Sequence, residues 1–483
     1  MAKKIGELDS DMKKAFSSDG FFNDSAKLEI LDKVLRKWLS SEGTVRIEGL
    51  DEMIDLFSQI NALKPVEIFD PVAFSKEGFR LLQFGIPFSI NSGVVTSVKL
   101  LTKAFQLEGA NVAIVNHWFH KYSFYNKNTD EMENVRMSPY SLLTGDGIFI
   151  EMKWALKHIL RDLKDRYHYN PQVCHVHTHT FYADESMQVF KSFFPNTPIV
   201  YTLHSLIPFI RMSQDDKFRL ISDEMNPAEI RKQREKGYHG REIAQEKMIE
   251  LADRIVTISQ VHKNAFDRLY PQFMHKCVCI PHGTDFDMYT EMASVIEGAN
   301  DLRRQIAPGG EMVIIYVGRV EDQKGAPALA AAINNICRKY HNVKFVFVGA
   351  TAEAALPVLV KSGMDESVKN KLFFSSWIKD KQTLACYYRL ADVMIQPVFS
   401  PGLYGFAVLE AMIMKVPVIT CPGQLSFGTC ETTGKIMYAV DRIFNDRAAV
   451  ERHVNNIRER VLQDYSLSTM RKRYLEVYAS VMK

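Results

Sequence analysis

Apolar runs of strand length recur along this chain, with amphipathic helical stretches between them. Leu81 to Ile86, Val112 to Asn116, Val173 to His177, Ile199 to His204, Ile255 to Ile258 and Val278 to Ile280 read as strands, and Met312 to Val317 and Val393 to Val398 continue the series. Strands buried on both faces lack polar alternation, and strands alternating with helices form parallel sheets covered on both sides. The helices are predicted from about Val95 to Leu107, around Ile148 to Arg166, from near Ala407, and over Tyr465 to Lys483. Ahead of the first strand, Ala26 to Leu39 and Leu50 to Leu63 space their apolar residues three and four apart, which predicts two amphipathic helices. Tyr122 to Glu133 reads as a polar loop, a candidate lid. The fold class is α/β.

Composition narrows the picture only a little. The 483 residues are 46% hydrophobic and 24% charged, an ordinary globular balance with length for two or three domains. A formal charge of +3 argues against a general nucleic-acid coat, so no nucleic acid is expected as partner. The seven cysteines form no zinc-like pairs, and Cys174, Cys277, Cys279 and Cys337 lie in apolar runs, so reduced thiols are expected over disulfides. The first residues are charged and no apolar stretch is long enough to span a bilayer, which makes a soluble, cytoplasmic protein the expectation.

Two segments at strand ends carry chemistry. Gly318-Arg319-Val320-Glu321-Asp322-Gln323-Lys324-Gly325 follows one apolar run, and Gly402-Leu403-Tyr404-Gly405 followed by Glu410 follows another. Open α/β sheets bind ligands outside the carboxyl ends of their strands. There Arg319 can fork onto phosphate oxygens, Lys324 can supply a point charge, and Gly402 and Gly405 let the main chain approach an anion where a helix opens. Glu410, one turn into that helix, has the chemistry to accept from ribose hydroxyls. Either segment alone reads equally well as a strand-loop-helix junction; their order and spacing together favour a pocket for a nucleotide diphosphate.

These segments resemble the carboxyl-terminal half of the group 4 retaining glycosyltransferases, whose two-Rossmann architecture is called GT-B. The resemblance extends over roughly residues 80 to 480, through Ala252-Asp253-Arg254-Ile255-Val256-Thr257-Ile258-Ser259 and Ile280-Pro281-His282-Gly283-Thr284-Asp285. It implies two Rossmann-like domains facing a central cleft: a helical extension over 1–78, an acceptor domain over 79–285, a nucleotide-sugar domain over 286–464, and a last helix, 465–483, crossing back to the first domain. It also implies that Arg319 and Lys324 hold the donor diphosphate, that Glu410 holds its ribose, and that Gly93 and Gly318 face the phosphates. One departure stands out. The family's first Glu, beside the donor sugar, falls on Gly402, which puts sugar identity and turnover in doubt.

His175, His177 and His179 alternate at one strand end and His204 sits at the next. Such spacing suits metal ligation, but no carboxylate or cysteine at ligand spacing accompanies them, so no metal is expected. The resemblance implies that His177 and His204 touch the transferred sugar; a core histidine is the bland alternative. Arg211 and Lys217 open the most basic stretch, part of which reads as a solvated helix face; the preceding His204-Ser205-Leu206 resembles the His-Ser-Leu of the sucrose-synthase-like branch, which implies that Arg211 and Lys217 meet an acidic or phosphorylated acceptor. The resemblance implies a hexosyltransferase that is metal-independent, without cofactor, and uses a nucleotide-diphosphate sugar, here a UDP-sugar, on an unknown acceptor. A catalytically silent nucleotide-sugar sensor or scaffold, or an epimerase or phosphorylase on the same fold, stays open, as does self-association through the N-terminal helices.

Overall fold

In a computed structural model of the chain, the strand-helix alternation becomes two open sheets. The structure describes residues 78–85, 93–116, 121–126, 131–136, 156, 160–166, 168–177, 183–236, 240–287, 289, 293–397, 405–421 and 425–482. The two amphipathic helices expected before residue 78 lie outside these residues, as do His179, Gly402, Leu403 and Tyr404.

The first sheet contains β1 (Arg80–Gly85), β2 (Asn111–Asn116), β3 (Lys121–Asn126), β4 (Glu131–Arg136), β5 (Val173–Val176), β6 (Ile199–Leu203), β7 (Arg254–Thr257) and β8 (Cys277–Cys279). Their order across the sheet is β4-β3-β2-β1-β5-β6-β7-β8. The stretch expected as a polar loop is instead an antiparallel hairpin: β3 pairs with β2 and β4 with β3, so this edge of the sheet is not parallel. Lys121 to Phe124 (KYSF) alternates polar and aromatic residues, the period-two pattern of a strand, which the polarity of the whole stretch disguises. Of the long helix expected around Ile148 to Arg166, the described part ends in a π-helical turn over Asp162–Arg166.

The second sheet holds β9 (Met312–Val317), β10 (Val343–Val348), β11 (Leu372–Ser375), β12 (Val393–Gln396), β13 (Val418–Thr420) and β14 (Gly428–Thr429), ordered β11-β10-β9-β12-β13-β14 and parallel throughout. In each sheet the chain reverses its direction of travel once, between β1 and β5 in the first and between β9 and β12 in the second. The loops leaving these four strands flank the topological switch points, where α/β sheets leave a crevice for ligands.

The last helix, Leu467–Val481, belongs to the first sheet's core. Its Met470, Tyr474, Val477 and Tyr478 pack in one cluster with Leu81, Val112, Val173, Val200 and Val256, and with Val98 and Leu101 of the helix Gly93–Gln106. The preceding helix, Arg447–Asp464, puts Ile457 and Val461 into the second sheet's core. The chain therefore passes between the two sheets twice, and the passages touch: Thr284 donates its N–H to the Tyr465 carbonyl at 2.8 Å and bridges to Ser466. A Cβ on Gly283 would lie 2.8 Å from both the Met470 Cβ and the Ser466 carbonyl, so only glycine lets the two passages lie this close.

Gly325 holds a second tight approach. With φ +82° it ends the turn after β9, and a Cβ there would fall 1.8 Å from the Pro397 carbonyl at the end of β12. Gly325→Ala combines that overlap with a left-handed backbone and is expected to cost at least about 3 kcal/mol, read as a lowered urea midpoint. An unchanged midpoint would show that the β9 and β12 loops are not in contact.

Candidate functional site

The loop after β9 brings two cations together. Tyr316 on β9 donates its hydroxyl to the Arg319 carbonyl at 2.8 Å, and a single 3-10 turn, Asp322–Lys324, returns Lys324 toward the strand end. The Lys324 Nζ lies 3.6 Å from where a Gly318 side chain would begin. Arg319, 69% exposed, pairs with Glu321 at 2.8 Å, while Lys324 has no ion pair or hydrogen bond from its ammonium among the described residues. Burial and then the Arg319 charge push the Lys324 ammonium down from the usual lysine range, with Glu321 opposing. Two positive side chains held this close repel each other, and an anion between them relieves the repulsion.

The loop after β12 leads into the helix Phe406–Ile413, whose N-terminal residue Gly405 supplies no side-chain cap. The first amides of such a helix suit an anionic group. Glu410 is half-buried on this helix and accepts from Tyr289 at 2.7 Å and Tyr388 at 2.8 Å, one tyrosine on each carboxylate oxygen. Burial pushes its carboxyl upward while the two tyrosines and Lys381 hold it down. A carboxylate oxygen has two acceptor sites, so both tyrosine bonds leave capacity for a ligand hydroxyl. Trp377, 64% exposed beyond β11, lies 3.9 Å from where a Gly349 side chain would begin and was not singled out in the sequence. Nothing in the sequence around Trp377 marks it, because Gly349 comes near it only in the fold.

Across the crevice lie the histidines. His177 Nδ1 meets His204 Nε2 at 3.1 Å, and His177 Nε2 is buried with no partner among the described residues. His204 stacks on His282 with ring centroids 5.5 Å apart, and His282 stacks on Phe406 at 5.2 Å while its Nδ1 meets Ser97 Oγ at 3.0 Å. His282 thus joins the first sheet's site to the helix that carries Glu410. Gly93 is the exposed first residue of the helix bearing Ser97. No group of three metal-ligating side chains occurs among the described residues.

The two basic candidates differ in their surroundings. Arg211 is tied to the buried Glu242 at 3.0 Å. Lys217 lies over the Phe209 ring at 5.8 Å, half-buried, and burial pushes its ammonium down. The described cysteines form no disulfide, and no helix among the described residues is long and apolar enough to cross a membrane.

Comparison with known proteins agrees with this architecture. The sequence profile described as "Glycosyltransferase Family 4" matches residues 91–288, and that described as "Glycosyl transferases group 1" matches 311–446. A Methanocaldococcus jannaschii protein described as an uncharacterised glycosyltransferase, MJ1607, is 30% identical over 185 residues, covering 36% of this chain and 46% of that protein. A D-inositol 3-phosphate glycosyltransferase of Xylanimonas cellulosilytica is 22% identical over 248 residues, 50% of this chain and 54% of its own. The chain thus spans about half the length of these two relatives. Among solved structures, Anabaena HepE in complex with UDP and glucose superposes with a TM-score of 0.55 at 14% identity, covering 83% of this chain and all of that one, a likeness of fold.

The buried histidines carry an acid liability. Burial pushes His175 and His177 well below the usual range and His262 down to about 4. The unfolded chain takes up these protons below about pH 6.5 and the folded chain refuses them, so stability is full above that pH and falls as pH drops. Each histidine contributes a slope of up to roughly 1.4 kcal/mol per pH unit. Urea unfolding between pH 7 and pH 5 is expected to lose about 2–4 kcal/mol per unit, and a flat profile would mean that these imidazoles titrate freely in the fold.

Proposed function

We propose that this chain, which belongs to the GT-B glycosyltransferases of group 1 and family 4, transfers a hexose from a UDP-sugar to an acceptor, with retention of configuration and without a metal ion. The observation that carries this reading is the pair of cations at the β9 switch point, where the Arg319 charge and burial push the Lys324 ammonium down and only Glu321 among the described residues offsets them. As the bond from the sugar to the diphosphate breaks, negative charge builds on the departing phosphate and positive charge on the sugar. The two cations stabilise the first without a covalent nucleophile. Glu410 accepts from the ribose, held in place by Tyr289 and Tyr388. His177 turns its unpartnered Nε2 to a hydroxyl of the transferred sugar, with His204 holding the far nitrogen.

The uridine diphosphate choice is supported by HepE, which binds UDP. For the acceptor, Lys217 favours an anionic group, in keeping with a relative named for D-inositol 3-phosphate. Arg211, neutralised by Glu242, is the weaker candidate. Gly402 in the place of the family's Glu favours one competing reading, a nucleotide-sugar sensor that binds without turnover. Release of nucleotide diphosphate that depends on added acceptor separates the two.

Arg319→Ala and Lys324→Ala are each expected to lower kcat/KM by roughly 30- to 1000-fold, about 2–4 kcal/mol, at unchanged melting temperature. Folded variants with wild-type kcat/KM would remove the diphosphate from this loop. Diphosphate binding should also raise the depressed lysine pKa. Calorimetry at alkaline pH in buffers of different ionisation enthalpy is therefore expected to register proton uptake that Lys324→Met abolishes. Uptake that persists in the variant would assign the proton to another group.

A further inference from the structure

The last helix does more than close the first sheet's core. Tyr478 places its hydroxyl 2.6 Å from His175 Nδ1, and the other nitrogen of that ring lies 2.7 Å from Thr202 Oγ1. Thr202 in turn meets the Tyr474 hydroxyl at 3.1 Å. His175, fully buried, lies against His177 with ring centroids 4.0 Å apart. A phenol is a better donor than acceptor, so Tyr478 donates to Nδ1 and His175 carries its own proton on Nε2, which it donates to Thr202. The ring is therefore held at both nitrogens and cannot flip without losing two hydrogen bonds in a site that water does not reach.

His177 is oriented by the His204 nitrogen at one edge and by the His175 ring on its face. We propose that Tyr478 and His175 are positioning residues for His177: the chain's last helix, through one hydroxyl and one imidazole, sets the angle at which His177 Nε2 meets the transferred sugar. A core that needed only packing would be served by phenylalanine at 478, since that ring already lies 5.7 Å from Phe79 and 5.5 Å from Phe105. Among the described residues the hydroxyl has one polar contact, and it is with the ring that supports His177.

This inference rests on the transferase reading of His177, and the test keeps the two apart. Tyr478→Phe preserves the ring packing and removes the hydroxyl. It is expected to lower kcat about tenfold or more while KM for the donor and Kd for UDP, held by the second sheet's loops, change less than about twofold. Tyr474→Phe, whose hydroxyl reaches only Thr202 among the described residues, is expected to change kcat less than about threefold. His175→Asn, which can still meet Tyr478 but offers no ring to His177, is the second variant and is expected to match Tyr478→Phe. In parallel, nitrogen-15 NMR of labelled histidines, with His177 identified by its loss in His177→Asn, is expected to show shifted His177 resonances in Tyr478→Phe. This arm reads positioning even if wild type turns over no donor, an outcome that would sink the transferase reading alone. A folded Tyr478→Phe with wild-type kcat and unmoved His177 resonances, or a Tyr474→Phe that loses as much as Tyr478→Phe, overturns the proposal.

Discussion

Two passages of chain lie against each other between the sheets, and the site depends on that contact. Gly283 leaves no room for a side chain between itself and Met470, Thr284 bonds to Tyr465, and Lys103 pairs with Asp285 at 3.1 Å just beyond. Because the junction is pinned from both directions, His282 is held between Ser97 and His204 on one side and Phe406 on the other. The carboxyl ends of the two sheets thereby share one crevice. Aromatic stacking across the junction is individually weak, on the order of 1 kcal/mol for each pair. Its value is directional, since it fixes which helix face meets which histidine.

The electrostatics of the two walls differ. On the second sheet, Arg319 and Lys324 are kept close with one carboxylate, Glu321, partly offsetting them, so the wall is poised for negative charge. On the first sheet the histidines are driven neutral by burial, so they offer hydrogen bonds without net charge. A polyanionic leaving group on one wall and an uncharged sugar on the other match this division. The tyrosines serve both walls: Tyr289 and Tyr388 hold Glu410, and Tyr478 holds His175.

Much of this was legible in the chain. Strand-length apolar runs located β9 to the residue and β1, β2, β5, β6, β7, β8 and β12 within one or two, because a buried parallel strand has few ways to be written, while β10, β11, β13 and β14 were not singled out. The cations at 319 and 324 were visible through the order and spacing of the two strand-end segments, since either segment alone reads equally well as a strand-loop-helix junction. The β3–β4 hairpin was missed because its polar residues outweighed the alternation of Tyr122 and Phe124. The supports of the site were not legible at all. Tyr478 and His175 are 303 positions apart, and Tyr289 and Glu410 are 121 apart. Neither tyrosine differs in sequence from an ordinary core residue, and only the folded sheets bring the partners together.

The central claim is that the pair after β9 is built for a diphosphate, and the difference between nucleoside mono- and diphosphates tests it most directly. Calorimetric titration of the purified protein with UDP and with UMP at one ionic strength isolates the second phosphate, because base and ribose are common to both ligands. UDP is expected to bind at least about 30-fold more tightly, roughly 2 kcal/mol for the added charge-assisted contacts, and Lys324→Ala is expected to remove most of that difference. Equal affinities for UDP and UMP, or a difference that survives in Lys324→Ala, would contradict the assignment of the diphosphate to this loop.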